Sequence, residues 1–123
     1  MTRAEAERFA KEWAEAWSAR NLDAVLSHYA EDAEFISPKA ATIAGQARLS
    51  GKAALERYWR AALERIPKIH FSVERILWDA ESRELCVVYL ADLNGQRARA
   101  CELMQFRPDG RLSRGEALYG ASF

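Results

Sequence analysis

The chain has 123 residues, with 18 lysines and arginines balanced by 18 aspartates and glutamates, so its formal net charge is zero. This length suits a single domain over residues 1–123 with one buried core, and the charge balance argues against nucleic acid or a membrane surface as the main partner. No apolar run reaches membrane-spanning length, and the N-terminus lacks the features of a secretory signal, so we expect a cytoplasmic protein.

Metal and disulfide chemistry find little support in the sequence. The two cysteines, Cys86 and Cys101, and the two histidines do not have the spacing of a metal site. The strand register argued below places the cysteines diagonally, which is a poor disulfide geometry. We therefore expect reduced thiols, no metal and no cofactor.

The first part of the chain is predicted to be helical. Thr2 and Glu5 form a capping box that opens a helix ending near Arg20. Asn21 can cap a second, shorter helix that ends before Asp32. The apolar residues of the first helix recur at spacings of three and four, which predicts one buried stripe formed by Ala6, Phe9, Ala10, Trp13, Ala16 and Trp17.

A short strand and a long connection are predicted next. The strand covers Glu34–Ser37, and Pro38–Ser50 is expected to be irregular, as segments at the rims of sites often are. A third helix begins after Gly51 and is closed by Pro67. Its apolar residues predict a core side made of Leu55, Tyr58, Trp59, Ala62, Leu63 and Ile66.

The second half of the chain reads entirely as strands. The dipeptides Asn94-Gly95 and Asp109-Gly110 are typical two-residue hairpin turns, and such turns set the pairing register. The resulting register places Glu102 between Val87 on one side and Ala117 on the other. The predicted strands are Ile69–Trp78, Glu84–Leu93, Gln96–Arg107 and Arg111–Ala121.

One face of this predicted sheet carries small side chains around a carboxylate. An ionised Glu102 without partners on an apolar face would cost several kcal/mol, roughly, so it must be paired, hydrated or protonated. Arg48 could pair with it, water could bridge it, or desolvation could raise its pKa and make it an acid/base group. The face consists of Leu85, Val87, Tyr89, Ala91, Ala98, Ala100, Glu102, Met104, Gly115, Ala117 and Tyr119.

The three helices are expected to cover that face, because helices followed by strands favour an α+β layer. The helix aromatics either fill the space above Glu102 or leave a cavity there. The opposite face is too apolar to lie in water, which predicts a homodimer through the sheet. That face carries Cys86, Val88, Leu90, Cys101, Leu103 and Leu118.

This order of elements, with the phrases AWSARNLDAVLSHYAEDAEFISP, SGKAALERYW and ELMQFRPDGRLSRGEALYG, resembles the nuclear transport factor 2-like superfamily. The resemblance covers nearly the whole chain and is strongest to its SnoaL-like and ketosteroid-isomerase-like branch. It implies a cone-shaped α+β fold, in which a curved, mostly antiparallel sheet wraps around three helices and dimerises. Members of the superfamily include isomerases, dehydratases, cyclases, hydrolases and non-catalytic binders, so the fold alone does not specify the activity.

The resemblance also relates three positions to the site of ketosteroid isomerase. The oxyanion-hole tyrosine of that enzyme falls on Trp13, its general-base aspartate on Ser37, and its second oxyanion-hole acid on Glu102. Only Glu102 keeps an acid. Steroid isomerisation by that mechanism is therefore not expected.

Three functional hypotheses follow. The first is an isomerase-, cyclase- or dehydratase-type enzyme acting on a small hydrophobic oxygenated molecule, with Glu102 as acid/base and Ser37, Tyr89 and Tyr119 as polar helpers. Ser37 also suits a turn-setting position before Pro38. The second is a non-catalytic binder, and the third is a structural dimer with a filled core. In the first two, the predicted walls of an apolar pocket are Trp13, Trp17, Phe35, Tyr58, Trp59, Val87, Tyr89, Met104, Ala117 and Tyr119.

Overall fold

The computed structural model describes all 123 residues and confirms the α+β class, with four helices and one curved, open sheet of six strands. The strand order is β2-β1-β6-β5-β4-β3, and every neighbouring pair is antiparallel except β1 with β6. None of the helices combines the length and the apolar character needed to cross a membrane. The helices are α1 (Arg3–Ser18), α2 (Leu22–Leu26), α3 (Pro38–Ala44) and α4 (Lys52–Arg65). The strands are β1 (Tyr29–Ile36), β2 (Arg48–Ser50), β3 (Ile69–Asp79), β4 (Glu84–Leu93), β5 (Gln96–Phe106) and β6 (Leu112–Ser122).

The predicted helix starts are confirmed, and capping bonds mark the starts of α1 and α2. The Glu5 backbone N–H donates to Thr2 Oγ1 at 3.1 Å, and the Thr2 N–H donates to Glu5 Oε1 at 2.8 Å, which completes the capping box. Helix α4 begins directly after Gly51 and ends at Arg65, two residues before Pro67. Both helices pack their apolar stripes against the concave face of the sheet and form the main core with it.

The prediction for residues 22–33 is wrong in one respect, because the second helix stops at Leu26 and the first strand begins at Tyr29. Tyr29 pairs in parallel with Leu112, and the Leu112 N–H donates to the His28 carbonyl at 2.8 Å. This long-range pairing outweighs the local helical pattern. The predicted strand Glu34–Ser37 therefore corresponds only to the last part of β1, and Ser37 lies just beyond it.

The predicted irregular connection Pro38–Ser50 is also corrected, since it contains α3 and β2. Ser37 Oγ caps α3 by accepting a hydrogen bond from the Lys39 N–H at 3.2 Å, with Pro38 at the first helical position. Gly45, at a φ of 80°, ends the helix in the left-handed conformation. Strand β2 forms because it pairs with the end of β1.

The predicted strand register around Glu102 is confirmed, since Glu102 lies opposite Val87 on β4 and opposite Ala117 on β6. The two-residue turn predicted at Asp109-Gly110 is wrong, because the Arg107 N–H donates to the Arg111 carbonyl across a longer turn, and a bulge beside it restores the predicted pairing. The ends of the four strands predicted in the second half of the chain differ from the observed ones by at most one residue. The two cysteines are free. The convex face of the sheet leaves Leu77, Leu103 and Leu118 exposed by 54%, 38% and 45%. Glu102 faces the other way, toward α1 and α4.

Candidate functional site

Glu102 is buried in the concave face with only 4% of its surface exposed. Its pKa is raised to about 8, first by burial and then by the negative charge of Glu116, and no hydrogen bond or cation opposes these effects. At pH 7 the carboxyl is therefore mostly protonated. A neutral carboxylic acid has an O–H group that can donate a hydrogen bond, whereas a carboxylate has only acceptors.

The alternative that Arg48 neutralises Glu102 is wrong. Arg48 Nη1 lies 3.5 Å from Glu34 Oε2 at the exposed edge of the sheet. Strand β2, which carries Arg48, is separated from β5 by two intervening strands. At roughly 4.8 Å per strand, the distance between their backbones is about 14 Å.

All four tyrosines of the chain surround Glu102. Burial raises the pKa of each phenol, and the charge that Glu102 would carry raises it further; the Ser37 hydroxyl partly opposes the shift at Tyr58. The four phenols are consequently neutral at physiological pH. The phenols that surround Glu102 are Tyr29, Tyr58, Tyr89 and Tyr119.

Sequence reasoning placed Tyr29 on a helix and missed it as a site residue. A side chain at Gly115 would lie 3.0 Å from Tyr29 Oη and 3.4 Å from Glu102 Oε2, so both groups converge above this glycine. The parallel pairing of β1 with β6 brings Tyr29 to this point. The only sequence signal was the small residue at position 115, whose close packing partner could not be inferred.

A cavity of about 60 Å³ lies between the sheet and helices α1 and α4, and it is open at one side. This volume holds a few water molecules. Fourteen of its 17 lining residues are hydrophobic. The structure places these predicted site residues in its wall: Trp13, Trp17, Phe35, Ser37, Tyr58, Trp59, Tyr89, Glu102, Ala117 and Tyr119.

Two predicted wall residues do not reach this cavity. Val87 and Met104 are exposed by 0% and 1%, and both are packed inside the core cluster. They share a sheet face with Glu102, but the helices cover that part of the face completely. The wall also contains residues that the sequence did not indicate: Lys39, Ala62, Leu63, Ile66, Ile69, Phe71 and Leu93.

Ser37 is 1% exposed, and its hydroxyl caps α3. The ring of His28 lies away from Ser37 and packs against Phe9, with 4.8 Å between the ring centroids. No histidine lines the cavity, so Ser37 has no base there to make it a nucleophile. The Trp13 indole N–H is buried without an acceptor.

No group of three or more His, Cys, Asp or Glu side chains is arranged to hold a metal ion.

The fold is of the nuclear transport factor 2-like class. Comparison with known proteins identifies the family within this class. Residues 10–115 match the SnoaL-like domain family, so the chain belongs to the SnoaL-like family. The predicted resemblance is thereby confirmed. No curated protein matches the chain.

Solved structures agree with this assignment. A SnoaL-like protein of unknown function from Burkholderia thailandensis is 38% identical, with a TM-score of 0.87 over 98% of both chains. A proposed ketosteroid isomerase from Kribbella flavida is 18% identical, with a TM-score of 0.74 over 98% of this chain and 81% of that one. A proposed polyketide cyclase from Sinorhizobium meliloti is 21% identical, with a TM-score of 0.71 over 87% and 90%. The latter two share the fold.

Proposed function

We propose that this protein is a small acid–base enzyme of the SnoaL-like kind that acts on a hydrophobic oxygenated molecule, with Glu102 as the general acid. One observation carries the proposal: a buried carboxyl, whose pKa no hydrogen bond or cation lowers, faces an apolar cavity. A carbonyl or hydroxyl oxygen of a ligand would supply an acceptor for its proton. Isomerase, cyclase and dehydratase reactions share this step, in which a donor stabilises negative charge developing on oxygen.

The surroundings of Glu102 support the same chemistry. Tyr58, Tyr89 and Tyr119 line the cavity as neutral phenols and can donate to the same oxygen or orient it. Few water molecules compete in this space, and hydrogen bonds are stronger where the local dielectric constant is low. The proposed isomerase and cyclase among structures of this fold are compatible with such a donor site.

Exchange of ketone α-hydrogens with deuterium tests the proposal without knowledge of the natural substrate. In D2O, the wild-type protein is expected to accelerate exchange in cyclohex-2-enone, followed by proton NMR. Glu102 donates to the carbonyl oxygen while a solvent water accepts the α-proton, and the enol takes up deuterium when it returns to the ketone. Glu102→Leu should reduce the acceleration by about 100-fold or more, since general-acid groups typically contribute about 10²- to 10⁴-fold. The acceleration should also decline above pH 8, where Glu102 loses its proton.

A matched control is Glu84→Gln, which removes an exposed carboxyl from the neighbouring strand and should leave exchange unchanged. Glu102→Gln keeps a hydrogen-bond donor but cannot transfer a proton, so it should still bind the ketone. Undiminished exchange in Glu102→Leu would contradict the proposal. So would a Glu102 pKa near that of an exposed glutamate, measured by carbon NMR.

A second candidate function is non-catalytic binding of the same class of molecule. It is favoured by the absence of a second carboxyl or a histidine from the cavity wall, which leaves Glu102 without a paired acid or base. Ketone binding that depends on Glu102 but causes no exchange would identify this function.

We also propose that two copies associate through the convex sheet face. Leu103 and Leu118 are exposed there beside Cys101, and the chain's zero net charge causes no overall repulsion between copies. Light scattering after gel filtration should give twice the 13.9 kDa chain mass for wild type and the single chain mass for Leu118→Glu. Ala4→Glu, which adds the same charge on exposed α1, should stay dimeric. A monomeric wild-type protein would contradict this arrangement.

A further inference from the structure

The cavity beside Glu102 continues into a wider groove. The two spaces share four lining residues, namely Lys39, Ile66, Leu93 and Tyr119. The groove has a volume of about 780 Å³ and runs along the turn between β4 and β5 and the end of β6. A ligand in the cavity therefore has room to extend outward through a passage that Lys39 and Tyr119 border.

The charged side chains that line this groove have one sign. Lys39 and Arg97 line it, and no aspartate or glutamate does. The Lys39 ammonium lies 4.6 Å from the centre of the Tyr119 ring and has no carboxylate within 4 Å. The groove therefore carries positive charge beside an apolar cavity.

Arg97 is also without an ionic partner, although the register places it opposite Asp92. Asp92 Oδ1 instead accepts a hydrogen bond from the Gly95 N–H at 2.9 Å and stabilises the turn. Arg97 forms no ion pair within the chain. Because Arg97 and Glu102 lie on opposite faces of β5, Lys39 is the unpaired cation on the cavity side and is free to bind an anion.

The position of Lys39 favours binding of an anion that is attached to an apolar body. The contact with Tyr119 restrains the lysine side chain at the cavity mouth, which reduces the entropy lost when it binds a ligand. The attraction between opposite charges is stronger near a protein surface than in bulk water, because the local dielectric constant is lower. The apolar cavity wall beside Lys39 strengthens its attraction for an anion.

We propose that the ligand of this site is an amphiphilic anion, with an oxygen-bearing end in the cavity, an apolar body in the passage between cavity and groove, and a negatively charged group, such as a carboxylate, in the groove against Lys39. The part of this inference that concerns the ligand's oxygen rests on the proposed function of Glu102. Recognition of the anionic group depends only on the groove.

The experiment compares 4-oxocyclohexanecarboxylate with its methyl ester, which has the same body without the charge. Binding at pH 7 and low salt is followed by quenching of the tryptophans, three of which line the cavity. The carboxylate should bind at least tenfold more tightly than the ester. Lys39→Gln should reduce this preference to less than twofold, and added salt should weaken it.

Two further variants separate charge from structure. Lys39→Arg keeps the cation and should retain the preference, while Lys11→Gln removes a lysine on α1 outside both spaces and should change nothing. Equal affinity for acid and ester in the wild-type protein would overturn the inference. If the two ligands bound equally well and Glu102→Leu weakened the binding of both, the proposed function of Glu102 would still stand. A carboxylate preference that survives Glu102→Leu without loss of affinity would support the groove and contradict the role of Glu102.

Discussion

Glutamine in place of Glu102 is expected to remove a large part of the pH dependence of stability. The raised pKa means that the folded protein holds a proton that the unfolded chain releases above about pH 4.5. The free energy of unfolding of the wild-type protein, measured relative to Glu102→Gln, should therefore fall as pH rises from about 4.5 to about 8 and level off above that. At about 1.4 kcal/mol per pH unit, the full difference approaches about 5 kcal/mol.

The sign of this effect follows from the protonated state. The neutral carboxyl is the form that tolerates burial, so its contribution is complete below the pKa of the unfolded chain and is lost as pH passes through the pKa of the folded protein. Urea unfolding at one-unit intervals from pH 5 to pH 9 measures it. Glu84→Gln should follow the wild-type curve. Parallel curves for wild type and Glu102→Gln would show that Glu102 is not desolvated.

Truncation of Trp13 should cause the second large effect. Trp13 is 2% exposed, and its ring centre lies 5.1 Å from that of Tyr89 and 5.4 Å from that of Phe71. Trp13→Ala removes these contacts and enlarges the cavity, so the free energy of unfolding should fall by about 3–5 kcal/mol. Urea unfolding at pH 6, where Glu102 is protonated in the folded state, provides the measurement.

Trp13→Phe is the matched control. It keeps an aromatic ring in contact with Tyr89 and Phe71 and removes the indole N–H that has no acceptor. Its cost should therefore be much smaller, about 1 kcal/mol, because loss of an unsatisfied buried donor offsets part of the lost packing. A loss below 1 kcal/mol in Trp13→Ala would mean that neighbouring side chains fill the vacated space.

Short sequence patterns predicted much of this fold. The capping box at Thr2 and Glu5 located the first helix, and the turns at Asn94-Gly95 and Asp109-Gly110 located Glu102 between Val87 and Ala117. These features are predictable because tight hairpin turns allow few backbone conformations and strands alternate with a period of two. The buried position of one carboxyl followed from that alternation.

The composition of the site depended on residues far apart in the chain. Tyr29 reaches Glu102 because β1 pairs in parallel with β6, across about 80 residues. Lys39 reaches the cavity mouth because its short helix follows β1, which lies beside β6, and its ammonium lies over the Tyr119 ring. Strand β2 likewise forms only against β1.

Local pattern and distant packing thus account for different parts of this protein. The carboxyl on the concave face, the hairpin register and the helix starts arise from interactions within a few residues, which the order of amino acids specifies directly. Exclusion of Val87 and Met104 from the cavity, recruitment of Tyr29 and placement of Lys39 depend on how the helices close over a curved sheet. That closure is determined by the sum of many packing contacts between distant segments, and no short stretch of sequence contains it.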